Sequence, residues 1–357
     1  MLAYRLLEWG VSPVLTEVPV PQAGPNEVIV RVAGCGLCHS DLAMMSIPAA
    51  IGEGIGWRVP FTLGHETAGW VHQIGDGVKD LGGFGGLGGL GLGSPVAIAS
   101  PSSCGRCRLC RAGKDNACPN GLVGRGYGRD GGLTEFVRVD DPRALLALPN
   151  GLDPVVAGPL TDAGATSYHG VKRVLAKLGD ESWVVVIGAG GLGSYAVAIL
   201  STLTKARICV LDPDPSRRQV AMALGATSAI DGVSKDAQSE TLVREIIGKD
   251  LADAVIDFVG TDDTIAFSLG VCASGGSVAI VGAGGGTLRK PWFGNLPRDG
   301  DVFTFQGSDL SDAKAVIALA AEGAINVPVV HYPLGEVALA YEALRSGSVA
   351  GRIVVRP

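Results

Sequence analysis

The sequence predicts an α/β protein of two domains, one β-rich and barrel-like, the other built on a doubly wound parallel sheet. Three observations predict it. The chain has 357 residues, more than one simple core organises. Its rhythm changes: up to about residue 155 short strands alternate with turns, and from about 180 apolar strands alternate with helices. A glycine motif, Gly188-Ala-Gly190-Gly-Leu-Gly193, stands where one of those later strands gives way to a helix.

In chain order, the early strands are Glu27-Val-Ile-Val-Arg-Val, Ala68-Gly-Trp-Val-His-Gln-Ile, Pro95-Val-Ala-Ile and Thr134-Glu-Phe-Val-Arg-Val. Trp183-Val-Val-Val-Ile has no polar alternation and reads as a strand covered on both faces. Ala206-Arg-Ile-Cys-Val-Leu-Asp is the next strand, and a helix over about 215–224 ends in Leu-Gly-Ala. Asp253-Ala-Val-Ile-Asp-Phe-Val and Gly276-Ser-Val-Ala-Ile-Val continue the sheet. Beyond about residue 300 the chain returns to the first domain. The expected division is residues 1–160 with 301–357, carrying a lobe at about 100–120, and residues 161–300. Trp183 to Thr204 lacks charge, but glycines interrupt it at turn spacing, so it reads as strand, turn and buried helix and not as a membrane span.

A chain that is 47% hydrophobic and 18% charged is a well-buried globular enzyme, not a disordered tail. A net charge of −6 without a Lys/Arg stripe argues against a nucleic-acid partner. The N-terminus has no signal-peptide pattern, and eight cysteines without an export signal favour metal ligands over disulfides. A cytoplasmic enzyme without a membrane partner is expected. Leu81 to Gly93, almost entirely Gly and Leu, is either a mobile surface loop or a packing and assembly element.

The glycine motif alone is a weak signal; its place after a strand and before a helix strengthens it. Gly188 permits the tight turn, Gly190 lets backbone approach a pyrophosphate, and Gly193 allows close helix–strand packing. The helix N-terminus then offers free N–H groups to the phosphates. Asp212 ends the next strand about twenty residues on, where a carboxylate binds the adenosine ribose hydroxyls and repels a 2′-phosphate, favouring NAD over NADP. Arg217 and Arg218 are expected on the exposed face of the following helix.

Cys104, Cys107, Cys110 and Cys118 are spaced so that one loop can wrap a tetrahedral ion. Four thiolates leave no open position, which makes this a structural zinc site. Arg106, Arg108 and Arg111 would offset its negative charge.

Cys38, His65 and Asp162 are far apart, and each taken singly has a bland explanation as a buried thiol, a core histidine or a turn carboxylate. Their surroundings change the reading. Gly36-Leu-Cys-His-Ser-Asp41, Gly64-His-Glu-Thr-Ala-Gly69, the four-cysteine lobe, the glycine motif and the closing Gly351-Arg-Ile-Val-Val together resemble the zinc-dependent alcohol dehydrogenases of the medium-chain dehydrogenase/reductase family. The resemblance runs in order along nearly the whole chain. It is closest to the bacterial NAD-dependent secondary alcohol dehydrogenases, whose third zinc ligand is Asp. It implies a GroES-like catalytic domain and a Rossmann coenzyme domain, two Zn2+ per chain, and NAD.

By that resemblance Cys38, His65 and Asp162 hold the catalytic zinc, with a fourth position open for water or an alcohol. Zinc lowers the pKa of such an alcohol so that its proton can leave near neutral pH. Asp41 orients His65, Glu66 is a transient ligand, and Ser40 is the first proton acceptor. Many relatives end the proton relay at a histidine where this chain has Ala43, so the relay ends elsewhere. His39 is implied at the pyrophosphate, with a place in the relay as the alternative. Arg352 is implied at the pyrophosphate, Thr166 beside the nicotinamide, and Val281 to Ala283 at its carboxamide. Cys35 forms Cys-Gly-Leu-Cys with Cys38, but the metal motif explains Cys38 better than a redox pair does.

Trp57 stands where relatives carry a pocket-lining aromatic, and Trp292 and Gln306 are placed on the far wall, with small Ala43 leaving room. Such an apolar pocket would accept hydrophobic alcohols, secondary or aromatic, and the corresponding ketones and aldehydes. The alternatives are a polyol or sugar dehydrogenase of the same fold, a zinc-free reductase of activated double bonds, and a non-catalytic zinc-containing protein on this fold. The two tryptophans argue against the first of these, and the open-sided ligand set against the other two. The family pairs through the edge strand of the coenzyme domain, here Asp301-Val-Phe-Thr-Phe-Gln, so a homotetramer, or a dimer, is expected.

Overall fold

The computed structural model describes residues 1–78, 89–234, 238–248, 251–288 and 291–357. Its chain divides into two compact units: Met1–Ala165 with Gly307–Glu322 and Pro328–Pro357, and Thr166–Gln306 with Gly323–Val327. Most of the Gly/Leu stretch lies outside the described residues; within its described end Leu92 is exposed.

The first unit is β-rich. A seven-stranded sheet runs in the order Leu145–Ala147, Pro95–Ile98, Glu66–Ile74, Val28–Gly36, Arg352–Arg356 and Val329–Pro333, and Phe136–Val139 also pairs with Val28–Gly36. Val28–Gly36 is central because its side chains are apolar on both faces; only Arg31 within it is exposed. It carries Cys35 and delivers the chain to Cys38, while the neighbouring antiparallel Glu66–Ile74 begins one residue after His65. The C-terminal strand Arg352–Arg356 pairs with the same central strand and so brings Arg352 beside both. Leu6, Leu37, Phe61, Leu63, Leu133 and Trp57 belong to one buried core cluster in this unit.

The second unit is a six-stranded, all-parallel sheet in the order Ser228–Ile230, Arg207–Leu211, Trp183–Ile187, Ala252–Asp257, Cys272–Ile280 and Asp301–Thr304. All five side chains of Trp183–Ile187 are buried, as helices on both faces require. The sheet order reverses beside this first strand, at the switch point where doubly wound sheets bind ligands. Asp301–Thr304 is the outer strand. The uncharged run from Trp183 resolves into this strand, a turn and the helix Gly191–Leu203, and no helix among the described residues is long and apolar enough to cross a membrane.

The turn after Trp183–Ile187 depends on its glycines. Gly188 has φ +85°, and a Cβ on Gly193 would sit 1.8 Å from the carbonyl oxygen of Gly188. A helix can start this close to the strand only without a side chain there. Gly193→Ala is expected to destabilise the protein by about 1–3 kcal/mol through backbone displacement. Calorimetry would measure this, together with loss of dinucleotide binding by isothermal titration.

Candidate metal centre

Four potential ligands from three chain segments converge in the first unit: the ligand atoms of Cys38, His65, Glu66 and Asp162 all lie within 4.8 Å of one another. Each segment has a local reason to be there. Cys38 caps the helix His39–Met45, where its backbone N–H donates to Asp41 Oδ2 at 3.0 Å. His65 follows Gly64, whose φ of +94° and closeness to the Cys35 sulfur exclude a side chain. Asp162 leaves the short turn Gly158–Thr161 and precedes the helix Ala163–Val174.

The imidazole of His65 is held from both sides. Its Nδ1 lies 2.9 Å from Asp41 Oδ1, and its Nε2 lies 3.3 Å from Asp162 Oδ2 and 3.4 Å from Ser40 Oγ. Asp41 is fully buried, whereas the Asp162 side chain keeps 19% exposure and Ser40 is exposed, so the cluster is open on the Asp162 and Ser40 side. Burial works against a charged His65, but Asp41 and then Asp162 outweigh it and lift the imidazole well above its usual range. Burial likewise opposes ionised Asp162, and His65 overcomes it, holding that carboxyl below its usual range.

Glu66 is fully buried and ion-paired with Arg352, which also donates to the Leu37 carbonyl at 2.9 Å. Burial pushes the Glu66 carboxyl up to about 7, against the pull of Arg352. The carboxylate closest to being a fourth ligand is therefore committed to a guanidinium, while the thiol, the Nε2 face and Asp162 converge. That donor set fits zinc: a tetrahedral ion needs its ligand atoms about 3–4 Å apart, with one position left for a reactant. Arg352, implied at the pyrophosphate, is only 3% exposed and is used within this cluster.

Cys104, Cys107, Cys110 and Cys118 form a second group. Cys107 Sγ lies 3.4 Å from Cys110 Sγ and 4.0 Å from Cys118 Sγ, and it caps the short helix Arg108–Arg111. Backbone N–H groups of Arg106 and Cys107, with Asn120, bring Cys104 down to about 5, while burial and the neighbouring sulfurs push Cys110 up to about 12. Four thiolates so close cannot all ionise without a cation among them, so this set also fits zinc. The arginines expected to balance them, Arg106, Arg108 and Arg111, are exposed. Instead the guanidinium of Arg143 lies against Gly105, where a Cβ would come within 2.3 Å of it.

In the second unit Asp212 is 2% exposed. Its Oδ2 accepts from the Ala189 N–H at 2.7 Å and its Oδ1 from the Asp214 N–H at 2.9 Å. The carboxylate thus pins the glycine turn and retains lone pairs for two hydroxyls. Arg217 and Arg218 are not on an exposed face, because acidic neighbours draw them in. Arg217 Nη1 lies 4.0 Å from Asp212, and Arg218 pairs with Asp231 and donates to the Asp212 carbonyl. The Thr166 hydroxyl is buried without a hydrogen-bond partner, and Val281 follows the strand Cys272–Ile280.

The expected pocket residues scatter. Trp57 is 5% exposed and donates from Nε1 to the Leu122 carbonyl at 2.7 Å; Trp292 is 72% exposed, and Gln306 and Ala43 are exposed, as is His39, implied at the pyrophosphate. The aromatic beside His65 is Tyr127, edge-on with ring centroids 6.3 Å apart. Sequence reasoning passed over it, although its Gly126-Tyr-Gly128 setting signals close backbone approach. Cys35 is buried next to Thr67, and burial pushes its thiol up to about 12, which suits a core residue and not a redox partner.

Asp41 and Asp162 raise the proton affinity of His65, so a metal ion binding at its Nε2 would have to compete with a proton. Zinc addition in weak buffer should release protons, and zinc affinity measured by competition with a chelator should rise with pH; pH-independent affinity would contradict the arrangement. Replacing Arg352 by Met leaves Glu66 buried and unpaired. The expected loss is roughly 3–5 kcal/mol in urea unfolding at pH 8, shrinking as pH falls and Glu66 takes up a proton.

Residues 24–150 match the family model of the alcohol dehydrogenase GroES-like domain, and residues 191–322 match that of the zinc-binding dehydrogenases. The chain is 31% identical over 347 residues to D-arabinose 1-dehydrogenase (NADP(+)) of Saccharolobus solfataricus, covering 96% of this chain and 94% of that protein. It is 34% identical to an NAD-dependent alcohol dehydrogenase of Sulfurisphaera tokodaii, over 81% of this chain and 80% of that protein. The crystal structure of the alcohol dehydrogenase from Aeropyrum pernix superposes with a TM-score of 0.89 at 31% identity, covering 100% of both chains. With its GroES-like and Rossmann units, this chain belongs to the zinc-binding alcohol dehydrogenases of the medium-chain dehydrogenase/reductase family and is an oxidoreductase.

Proposed function

We propose that the protein reversibly oxidises hydrophobic alcohols, secondary or aromatic, to ketones or aldehydes with NAD, using one zinc on Cys38, His65 and Asp162 and a second, structural zinc on the four-cysteine loop. The observation that carries this reading is the convergence of a thiol, an imidazole and a carboxylate at a centre open only on the Asp162 and Ser40 side. Zinc there would lower the pKa of an alcohol or polarise a carbonyl, and NAD would be the hydride acceptor.

The chain's own residues supply the rest. Asp41 fixes the His65 ring and leaves Nε2 for the metal. Glu66, neutralised by Arg352, keeps a carboxylate in reserve beside the ligands. Ser40, exposed and 3.4 Å from His65 Nε2, is placed to take the proton of the substrate hydroxyl and hand it to water, since Ala43 cannot carry it further. Asp212 favours two free ribose hydroxyls over a 2′-phosphate.

A polyol or sugar as substrate is the second reading. It is favoured by the D-arabinose 1-dehydrogenase relative and by the positions of the two tryptophans, one in the core and one on the surface, which removes the aromatic wall that argued against it. A panel of secondary, aromatic and primary alcohols against pentoses and polyols, followed at the reduced-nicotinamide absorbance, separates the two. The hydrophobic reading expects higher kcat/KM for the apolar set; preference for pentoses would overturn it. Metal analysis should find two zinc per chain. Activity with NAD should exceed that with NADP by more than about ten-fold, and equal rates would remove the role given to Asp212.

A further inference from the structure

We infer that Tyr127 is a positioning residue that ties the four-cysteine loop to His65, so that the conformation of the loop sets the geometry of the catalytic metal centre. The inference rests on the metal reading of Cys38, His65 and Asp162 given above.

Tyr127 touches both sites at once. Its hydroxyl donates to the Ser100 carbonyl at 3.1 Å and accepts from the Ser102 N–H at 2.9 Å, clamping the segment that leads into Cys104. Its ring meets His65 edge-on at 6.3 Å and lies 6.3 Å from the Trp57 ring. Those separations fall within the range of productive aromatic contact. Trp57 in turn donates to the carbonyl of Leu122, on the segment leaving Cys118. Entry to and exit from the loop are therefore both fastened to the aromatic pair beside His65.

The backbone leaves little slack. Gly126 bridges to Leu63, and a Cβ on Gly126 would lie 2.5 Å from the carbonyl carbon of Gly64 and 2.8 Å from the nitrogen of His65. Gly124 and Tyr127 exchange backbone hydrogen bonds of 2.8 and 3.1 Å, and a Cβ on Gly124 would strike the Tyr127 ring. A movement of the loop must shift this turn, and the turn abuts the backbone that carries His65. Asp41 lies at Nδ1 and Nε2 is the face left for the metal, while Tyr127 meets the ring edge-on.

The test is a double-mutant cycle read by cobalt in the Cys38–His65–Asp162 site, whose visible absorption reports ligand geometry whether or not turnover changes. Tyr127→Phe keeps the ring and removes the clamp on Ser100 and Ser102. Cys110→Ser disturbs the loop; Asp115→Ala, which removes the acceptor of the 2.8 Å hydrogen bond from the Ser103 hydroxyl, replaces it if that variant does not fold. The loop variant is expected to shift the cobalt bands in the Tyr127 background and to shift them less in the Phe background, where only the backbone contact remains. Absence of a shift in the Tyr127 background, or additive shifts in the double variant, would overturn the tie. Failure of the site to take up cobalt would overturn the metal reading and this inference with it.

Discussion

The structure depends on a buried imidazole held between two carboxylates. His65, Asp41 and Glu66 are almost wholly removed from water, and Asp162 largely so. Two carboxylates flank His65 and a third, Glu66, pairs with the Arg352 guanidinium, so acidic groups crowd a place where solvent screens poorly. Such a group of charges is costly unless a cation completes it. Asp41 and Asp162 raise the proton affinity of His65, and a cation held among these groups would balance the remaining charge. The same imbalance orients the imidazole between Asp41 and Asp162.

The sheet exists in its particular register to make this cluster. Cys38 and His65 come from the ends of two antiparallel neighbours, Val28–Gly36 and Glu66–Ile74, and Arg352 from the strand on the other side. Slipping any of these strands by one residue would turn its side chains to the opposite face and separate the ligands. Gly64 and Gly126 let two backbones meet closer than side chains permit, which places His65 against the turn that carries Tyr127. Packing density, not hydrogen bonding alone, therefore holds the ligand geometry.

Much of the fold was legible because its signals are local. The early strands, the apolar strands of the parallel sheet and the helix after the glycine motif occur where the sequence placed them, within a few residues at their ends. The resemblance to zinc-dependent alcohol dehydrogenases was also legible, because its motifs are short and chemically specific. Trp57 and Trp292 were harder. A tryptophan reads the same in a core, on a surface or in a pocket, and only its neighbours decide; Trp57 found Leu122 and the core, and Trp292 found the surface. Arg217 and Arg218 looked like an exposed helix face until acidic groups distant in sequence drew them in.

The sequence by itself determined which side chains can bind a metal, where the dinucleotide turn must lie, and that the chain alternates between two architectures. Spacing and residue chemistry suffice for these, since each rests on groups a few bonds apart. The tertiary structure decided partners that no motif named: Arg352 for Glu66, Arg143 against the four-cysteine loop, and Tyr127 at the edge of His65. These partners are joined by strand register and close backbone contact across long stretches of chain, and no local pattern encodes such a meeting.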